Sequence, residues 1–153
     1  MANSYTQIYI QYVFAVKGRN NFLLPEHNEE LHKYITGIVI KRKCKMLQIN
    51  NVTDHVHMFV GLHPTYSVSK LIQDVKSISS GFINDKKWIK GDFNWQEGYG
   101  GFSYSRSQID RVIKYIINQQ KHHQKTTFRE EYINFLKKFG IDYDERYLFE
   151  FYD

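Results

Sequence analysis

Cysteine and proline are scarce in this sequence, which has one cysteine, Cys44, and two prolines among 153 residues. A single thiol excludes an internal disulfide, as is typical of proteins from a reducing compartment. No apolar run approaches the roughly 18 residues of a membrane-spanning helix, and no signal-peptide pattern stands at the N-terminus. We therefore expect a soluble cytoplasmic protein with no membrane partner.

Internal repeats, low-complexity segments and linkers rich in glycine or proline are also missing. A chain of this length suits one compact unit with its own core. We therefore predict a single domain over residues 1–153.

The chain is basic and aromatic, with a formal net charge of +5, 12 tyrosines and 11 phenylalanines. Cations can follow phosphates and rings can stack on bases, so this composition suits single-stranded nucleic acid. A mildly basic globular protein whose rings fill the core has the same composition. Because the charge excess is modest, composition by itself favours the second interpretation.

Residues 54–60 read Asp-His-Val-His-Met-Phe-Val and have the apolar content of a buried strand. Successive side chains of a strand point to opposite faces, so His55 and His57 share one face and Val56 and Met58 the other. Two imidazoles on one face can hold a divalent ion. A strand face that merely carries two histidines is the alternative interpretation of the pair alone.

Three strands are predicted over residues 5–16, 46–52 and 54–60, and a fourth follows the glycine-rich stretch within residues 95–105. The second and third strands form a hairpin because the link between them is short. The first strand ends in a turn that contains Lys17 and Arg19. These two cations either contact a phosphate or are solvated turn residues, and the sequence leaves both open.

Apolar residues at helical spacing predict four helices. They begin near Pro25, at Ser67 or Ser69, at Ser107 and near Thr127; the third runs to about His123 and the fourth stops at Gly140. Strand, helix, strand, strand, helix, strand is the order of a ferredoxin-like α+β sandwich with an antiparallel sheet, here with additional C-terminal helices. The acidic and aromatic tail over 141–149 is expected to add a strand or cover a sheet edge.

Tyr115 and Gln119 lie four residues apart on the third predicted helix, so their side chains meet. With about 100° of rotation per residue, His122 lies on the same edge of the apolar stripe. A tyrosine at such an edge is commonly a boundary residue with its hydroxyl in water. The position alone therefore does not distinguish a structural tyrosine from a reactive one.

The chemistry of a reactive tyrosine links this helix to the histidine strand. A phenol has a pKa near 10, so forming the phenolate at pH 7 costs about 4 kcal/mol. A nearby divalent cation lowers this cost and polarises a scissile phosphate. The carbonyl of a glutamine such as Gln119 can join two histidines as a third neutral ligand, leaving positions on the ion for phosphate oxygens.

Four stretches in order along the chain resemble the one-tyrosine HUH transposases of small insertion sequences, and the similar transposases associated with repetitive palindromic elements. The stretches are Asp54-His55-Val56-His57-Met58-Phe59; Trp95-Gln96-Glu97-Gly98-Tyr99 with Phe102-Ser103-Tyr104-Ser105; Tyr115-Ile116-Ile117-Asn118-Gln119 with His122-His123; and Gly140-Ile141-Asp142-Tyr143-Asp144-Glu145. The histidine pair alone is a weak signal, whereas the ordered set is specific and covers nearly the whole chain. Gly100-Gly101 departs from the relatives and predicts a looser joint.

The resemblance implies a metal-dependent endonuclease and strand transferase that acts on hairpin-bearing single-stranded DNA. In this family, residues matching His55, His57 and Gln119 hold Mg²⁺ or Mn²⁺, and the residue matching Tyr115 forms a 5′-phosphotyrosine. The resemblance also implies a homodimer in which the tyrosine helix serves either its own or the partner's histidine pair. His122 belongs to the family pattern and is read as a DNA contact or a neighbour of the site, as is His123.

Three other interpretations remain open on the sequence. The same chemistry can serve a domesticated role without mobility. A ferredoxin-like sheet can bind single-stranded nucleic acid without catalysis, its histidines being merely surface residues. A phosphoesterase that uses metal-bound water would release product without a covalent intermediate.

Overall fold

The computed structural model describes residues 4–153 and contains one four-stranded sheet. Its strands are β1 (Tyr9–Ala15), β2 (Lys45–Asn51), β3 (His55–Gly61) and β4 (Gly100–Tyr104). They lie in the order β2-β3-β1-β4, and every neighbouring pair is antiparallel. The predicted ferredoxin-like α+β class and the β2–β3 hairpin are therefore confirmed.

Helices cover both faces of this sheet: α1 (Asn28–Lys41), α2 (Val68–Lys86), α3 (Ile109–Ile117), α4 (Gln119–His122) and α5 (Phe128–Lys138). The first face carries Tyr12, Phe14 and Met58 under α1 and α2, and the second carries Val13 and Phe59 under α3 and α5. None of the helices in residues 4–153 combines the length and apolar content needed to cross a membrane.

The register of β3 in the middle of the sheet decides which residues reach the second face. His55 pairs with Ala15 and His57 with Val13 of β1. Both histidines are fully buried, whereas Val56 packs into the core of the first face. The alternation predicted from the sequence is therefore confirmed, but the histidine face lies under helices and is not exposed.

The helix predicted from Ser107 to about His123 is divided in the structure, so that prediction was wrong in two respects. It opens at Ser105, which forms a capping box with Gln108 around a 3₁₀ turn, Arg106–Gln108. It also breaks at Asn118, where ψ is 17°.

Asn50 of β2 explains the break, because its side chain takes the carbonyls that a continuous helix would use. The amide nitrogen of Asn50 donates to the carbonyl oxygens of Ile116 at 2.8 Å and Ile117 at 3.1 Å. The side chains of Asn50 and Gln120 also exchange hydrogen bonds of 2.9 and 2.7 Å. These contacts fix the start of α4 against the sheet.

The predicted start and stop of the last helix are confirmed. Thr127 and Glu130 form the capping box of α5, and Gly140 adopts a φ of 65° just after it. The tail adds no strand to the sheet within the described residues. Instead, Phe149 packs under α5, and the backbone of Glu150 exchanges hydrogen bonds of 2.7 and 2.8 Å with the side chain of Gln96.

Candidate active site

The two histidines of β3 form the floor of a buried polar cluster. Their ring centroids are 5.2 Å apart, and neither side chain is exposed. The ring of Phe128 stacks on His55 at 3.7 Å and nearly parallel, so α5 closes the site on that side. A polar pair in such a position requires hydrogen-bonding partners, because burial without them is costly.

Glu131 of α5 supplies these partners and stands at the centre of the cluster. Its side chain is 2% exposed. Its Oε1 accepts hydrogen bonds from Nε2 of His55 at 3.1 Å and of His57 at 3.0 Å. Nε2 of His123 lies 3.2 Å from the same oxygen. One carboxylate oxygen therefore faces three imidazoles.

Glu131 was not identified from the sequence, because the acidic pair Glu130-Glu131 was attributed to the helix cap that Glu130 forms. A signal was present: Glu131 stands three residues after Phe128 and four before Phe135, on the helix face that carries apolar residues. A carboxylate on a buried helix face needs a charged or hydrogen-bonding partner from elsewhere in the chain.

The second oxygen of Glu131 faces the tyrosine helix. Oε2 accepts a hydrogen bond from the Tyr115 hydroxyl and another, 2.9 Å long, from Nε2 of Gln119. The ring centroid of Tyr115 is 5.9 Å from that of His57, and its hydroxyl lies 3.4 Å from Nε2 of His122. The structure thus brings His55, His57, Tyr115 and Gln119 together within one chain.

Side chains behind the histidines fix the direction of each ring. Nδ1 of His55 donates to Asp54 at 2.8 Å, and Nδ1 of His57 accepts from the Gln11 side-chain amide at 2.9 Å. The Tyr104 hydroxyl donates to the other end of the Gln11 amide at 2.8 Å. Both Nε2 atoms therefore point into the cluster, in the arrangement that orients histidine ligands in metal sites.

The protonation states follow from these partners. Burial lowers the pKa of His57, whereas at His55 the hydrogen bonds to Asp54 and Glu131 outweigh burial and raise the pKa. Burial would raise the pKa of Glu131, but the surrounding imidazoles lower it well below its ordinary value. Burial and the Glu131 charge raise the pKa of Tyr115, so without a cation the phenol stays protonated at neutral pH.

The donor set fits a divalent metal. The donor atoms of His55, His57 and Glu131 lie within 4.8 Å of one another. The separations of 3.0 and 3.1 Å between Oε1 and the two Nε2 atoms match neighbouring ligands about 2.1 Å from one ion at right angles. Binding an ion through Nε2 would release the protons these nitrogens now donate to Glu131.

Gln119 stands beside this donor set, but its amide nitrogen faces Glu131 and its oxygen lies 3.0 Å from Nε2 of His123. Its predicted role as a metal ligand requires the amide to turn over. The oxygen and nitrogen of a side-chain amide take their places according to their hydrogen-bonding partners. A bound ion would favour the orientation in which the Gln119 oxygen faces the ion. The ligand role of Gln119 stays a prediction.

The predicted DNA contacts fall in two places. His122 is half-buried beside Tyr115 and lines the cavities that open there. Lys17 and Arg19 stand beyond the end of β1, where the Arg19 guanidinium donates to the backbone oxygen of Tyr152 at 3.3 Å. Neither lines the cavities beside Tyr115, and their contact with DNA stays a prediction.

Solved structures of transposases share this fold. A protein of Deinococcus radiodurans R1, described as a candidate transposase, has 18% identity and a TM-score of 0.60, with 78% of this chain and 95% of that chain covered. A REP-associated tyrosine transposase bound to a REP hairpin has 13% identity and a TM-score of 0.60, with 80% and 73% covered. At these identities the likeness establishes the fold alone.

No curated protein matches the sequence significantly. A family model described as "Transposase IS200 like" matches residues 4–119, which is more than half of the chain. The match includes His55, His57, Tyr115 and Gln119 and ends before Glu131. The chain therefore belongs to the IS200-like transposase family.

Proposed function

We propose that this transposase cleaves and rejoins single-stranded DNA, with Tyr115 as the nucleophile. The Tyr115 oxygen bonds to the phosphorus of a phosphodiester, and the bond from phosphorus to the 3′ oxygen breaks. The phenolic proton passes to solvent, and the departing 3′ oxygen takes a proton from water. The products are a 5′-phosphotyrosine and a free 3′-OH, and attack by another 3′-OH reverses the step.

The observation that carries this proposal is the convergence on Glu131. Its two oxygens link the histidine pair to Tyr115 and Gln119 within one buried cluster. The Tyr115 hydroxyl is thereby held beside the donor set that would bind the metal, as a nucleophile for metal-assisted cleavage requires. Because the pKa of Glu131 is lowered, this carboxylate orients the Tyr115 phenol but does not retain the proton that the phenol gives up.

His55, His57 and Glu131 would hold the cofactor, with Gln119 as a further ligand once its amide turns. We propose Mg²⁺ or Mn²⁺, since carboxylate and carbonyl oxygens suit these ions. Such an ion, when bound, stabilises the phenolate and polarises the phosphate. Without it, the raised pKa of Tyr115 keeps the nucleophile protonated.

The proposed substrate is a DNA single strand that carries a hairpin near the cleavage site. The REP-associated tyrosine transposase that shares this fold was solved with a REP hairpin. Family membership and the positive charge of the chain are consistent with the same class of partner.

A denaturing gel tests the reaction directly. The protein is incubated with labelled hairpin-bearing single-stranded DNA, with Mn²⁺ or with EDTA. We expect a covalent protein–DNA band that requires Mn²⁺, disappears in Tyr115→Phe and weakens strongly in His57→Ala. Tyr147→Phe is the matched control, because Tyr147 is 80% exposed and far along the chain from the cluster.

The same gel separates the rival functions. Cleaved DNA without a covalent band would indicate hydrolysis by metal-bound water. Binding without cleavage, unchanged in Tyr115→Phe, would indicate a nucleic-acid-binding domain whose histidines are structural. Either result contradicts the proposed strand transfer.

A mixing experiment tests whether one chain completes the site. In the described chain, Tyr115 lies beside its own His57, so we propose assembly within the subunit even if the protein is a homodimer. Mixing inactive Tyr115→Phe with inactive His57→Ala should then restore no covalent band. Partial recovery on mixing would mean that each site takes its tyrosine from the partner.

A further inference from the structure

Two cavities meet at Tyr115. One, of about 300 Å³, lies between α3, α5 and the sheet; the other, of about 510 Å³, runs along α3 and α4. Tyr115, His122, Arg111 and Thr126 stand in the walls of both. A ligand that extends from one cavity into the other must therefore pass the tyrosine.

The larger cavity, called the basic groove below, has the chemistry of a phosphate track. Four cations line it: Arg111, Lys114, Lys121 and Lys125. All four are exposed, and within residues 4–153 none forms an ion pair with a carboxylate. Unpaired cations aligned along one groove attract a polyanion and release its counterions.

The smaller cavity, called the base pocket below, has a different lining. The 3₁₀ turn contributes Gln108 and α3 contributes Val112 and Tyr115, while helical spacing places Glu131, Asn134 and Phe135 together on α5. Tyr104 of β4 and Gln11 of β1 also line it, and Lys138 stands in the wall. The pocket thus offers aromatic rings together with amide groups, and Arg111 and Lys138 are the cations in its lining.

These features match one nucleobase. The volume of the base pocket lies at the lower end of the range for small-ligand sites, roughly 300–1,000 Å³. A pocket of this size is too small for several nucleotides of a strand. Unstacked bases bind to proteins by stacking on aromatic side chains and by hydrogen bonds to their edges. Phe135 is half-buried and Asn134 is exposed, so a ring and an amide are both available to a ligand.

We propose that the base pocket receives the nucleobase next to the phosphodiester that Tyr115 attacks, while neighbouring phosphates follow the basic groove. This inference rests on the proposed function and adds a specificity site to it. Since Tyr115 itself forms part of the pocket wall, a seated base would hold the adjoining phosphate beside the hydroxyl. Asn134 would read the base edge, and Phe135 would contact its face.

The first test reads specificity from the cleavage product. Hairpin-bearing single strands with a randomised flank are incubated with the protein and Mn²⁺, and the covalently captured DNA is sequenced. We expect a base preference at the position next to the cleaved bond, which Asn134→Ala relaxes at that position alone. Gln73→Ala, an exposed amide on α2 under the opposite sheet face, should keep the preference.

The second test does not depend on catalysis. The same strands carrying 5-iodouracil in the flank are irradiated with the protein in EDTA, and the crosslinked residues are identified by mass spectrometry. We expect crosslinks at Tyr104 or Phe135 when 5-iodouracil stands next to the cleaved bond, and none there when it stands at a distant flank position.

The two tests separate the proposals. Loss of the covalent band in every condition would overturn strand transfer, yet crosslinks in the base pocket would still support the pocket. The pocket inference would be overturned if DNA is captured covalently but Asn134→Ala does not alter the base preference next to the cleaved bond. It would also be overturned if the crosslinks are confined to residues outside the pocket.

Discussion

At the scale of single residues, Glu131 has the largest effect on how the site is understood. One carboxylate accepts hydrogen bonds from imidazoles, a phenol and an amide, all from other elements. Each partner alone can be interpreted as a purely structural residue, either a core histidine or a boundary tyrosine. Their common contact with a buried anion favours the chemical interpretation, because such an arrangement positions donors for a cation.

The role of Glu131 as a ligand is testable against its neighbour. Glu131→Gln should weaken Mn²⁺ binding by at least about tenfold, because a charged ligand becomes a neutral amide. Glu130→Gln should leave the affinity unchanged, since Glu130 is exposed and glutamine also completes a capping box. Isothermal titration calorimetry measures both, and equal affinities in the two variants would remove Glu131 from the ligand set.

At the scale of elements, the position of α5 depends on a close approach to the first residue of β4. The sequence predicted a loose joint at Gly100-Gly101, but both glycines lie in β4. A Cβ added at Gly100 would come within 2.7 Å of the Tyr132 ring of α5. Glycine is therefore required there for packing, and through α5 it helps to place Glu131.

A pair of alanine substitutions tests this packing. Gly100→Ala should lower the free energy of unfolding by about 1–3 kcal/mol, as overpacking of a core does. Gly101→Ala should change it by about 0.5 kcal/mol or less, since its Cβ would meet Tyr99 at an ordinary 3.5 Å. Urea unfolding followed by circular dichroism measures the free energy of unfolding of both variants. Similar losses of stability in the two would mean that strand propensity, and not the contact with Tyr132, determines the effect of the substitution.

At the scale of the whole molecule, positive charge is concentrated on one side of the candidate active site. The net charge of +5 is modest, and composition alone did not indicate a nucleic-acid partner. The fold places four of the cations along the basic groove, beside the tyrosine. In the proposed function, the local concentration of charge, and not the total, would draw a strand to this site.

The salt dependence of DNA binding tests this distribution. The logarithm of the binding constant for single strands should fall with the logarithm of the salt concentration, with a slope of about −0.7 for each phosphate neutralised. Because Lys121→Gln removes one phosphate contact, it should make this slope less steep by about 0.7. Lys90→Gln should leave it unchanged, because exposed Lys90 lies outside both cavities. Fluorescence anisotropy in metal-free buffer over a range of salt gives the slopes, and equal slopes for the two variants would exclude the groove as the phosphate track.

Local patterns in the sequence were sufficient to predict the sheet, the order of elements and the shared face of His55 and His57. They also placed Tyr115 beside Gln119, because alternation and helical spacing operate over a few residues. Tertiary structure alone decided the break at Asn118 and the central role of Glu131. The break comes from Asn50, 66 residues from Ile116, and the buried carboxylate meets a histidine 76 residues away. Such contacts form only when separate elements pack, and no local periodicity encodes which polar side chains will then face one another.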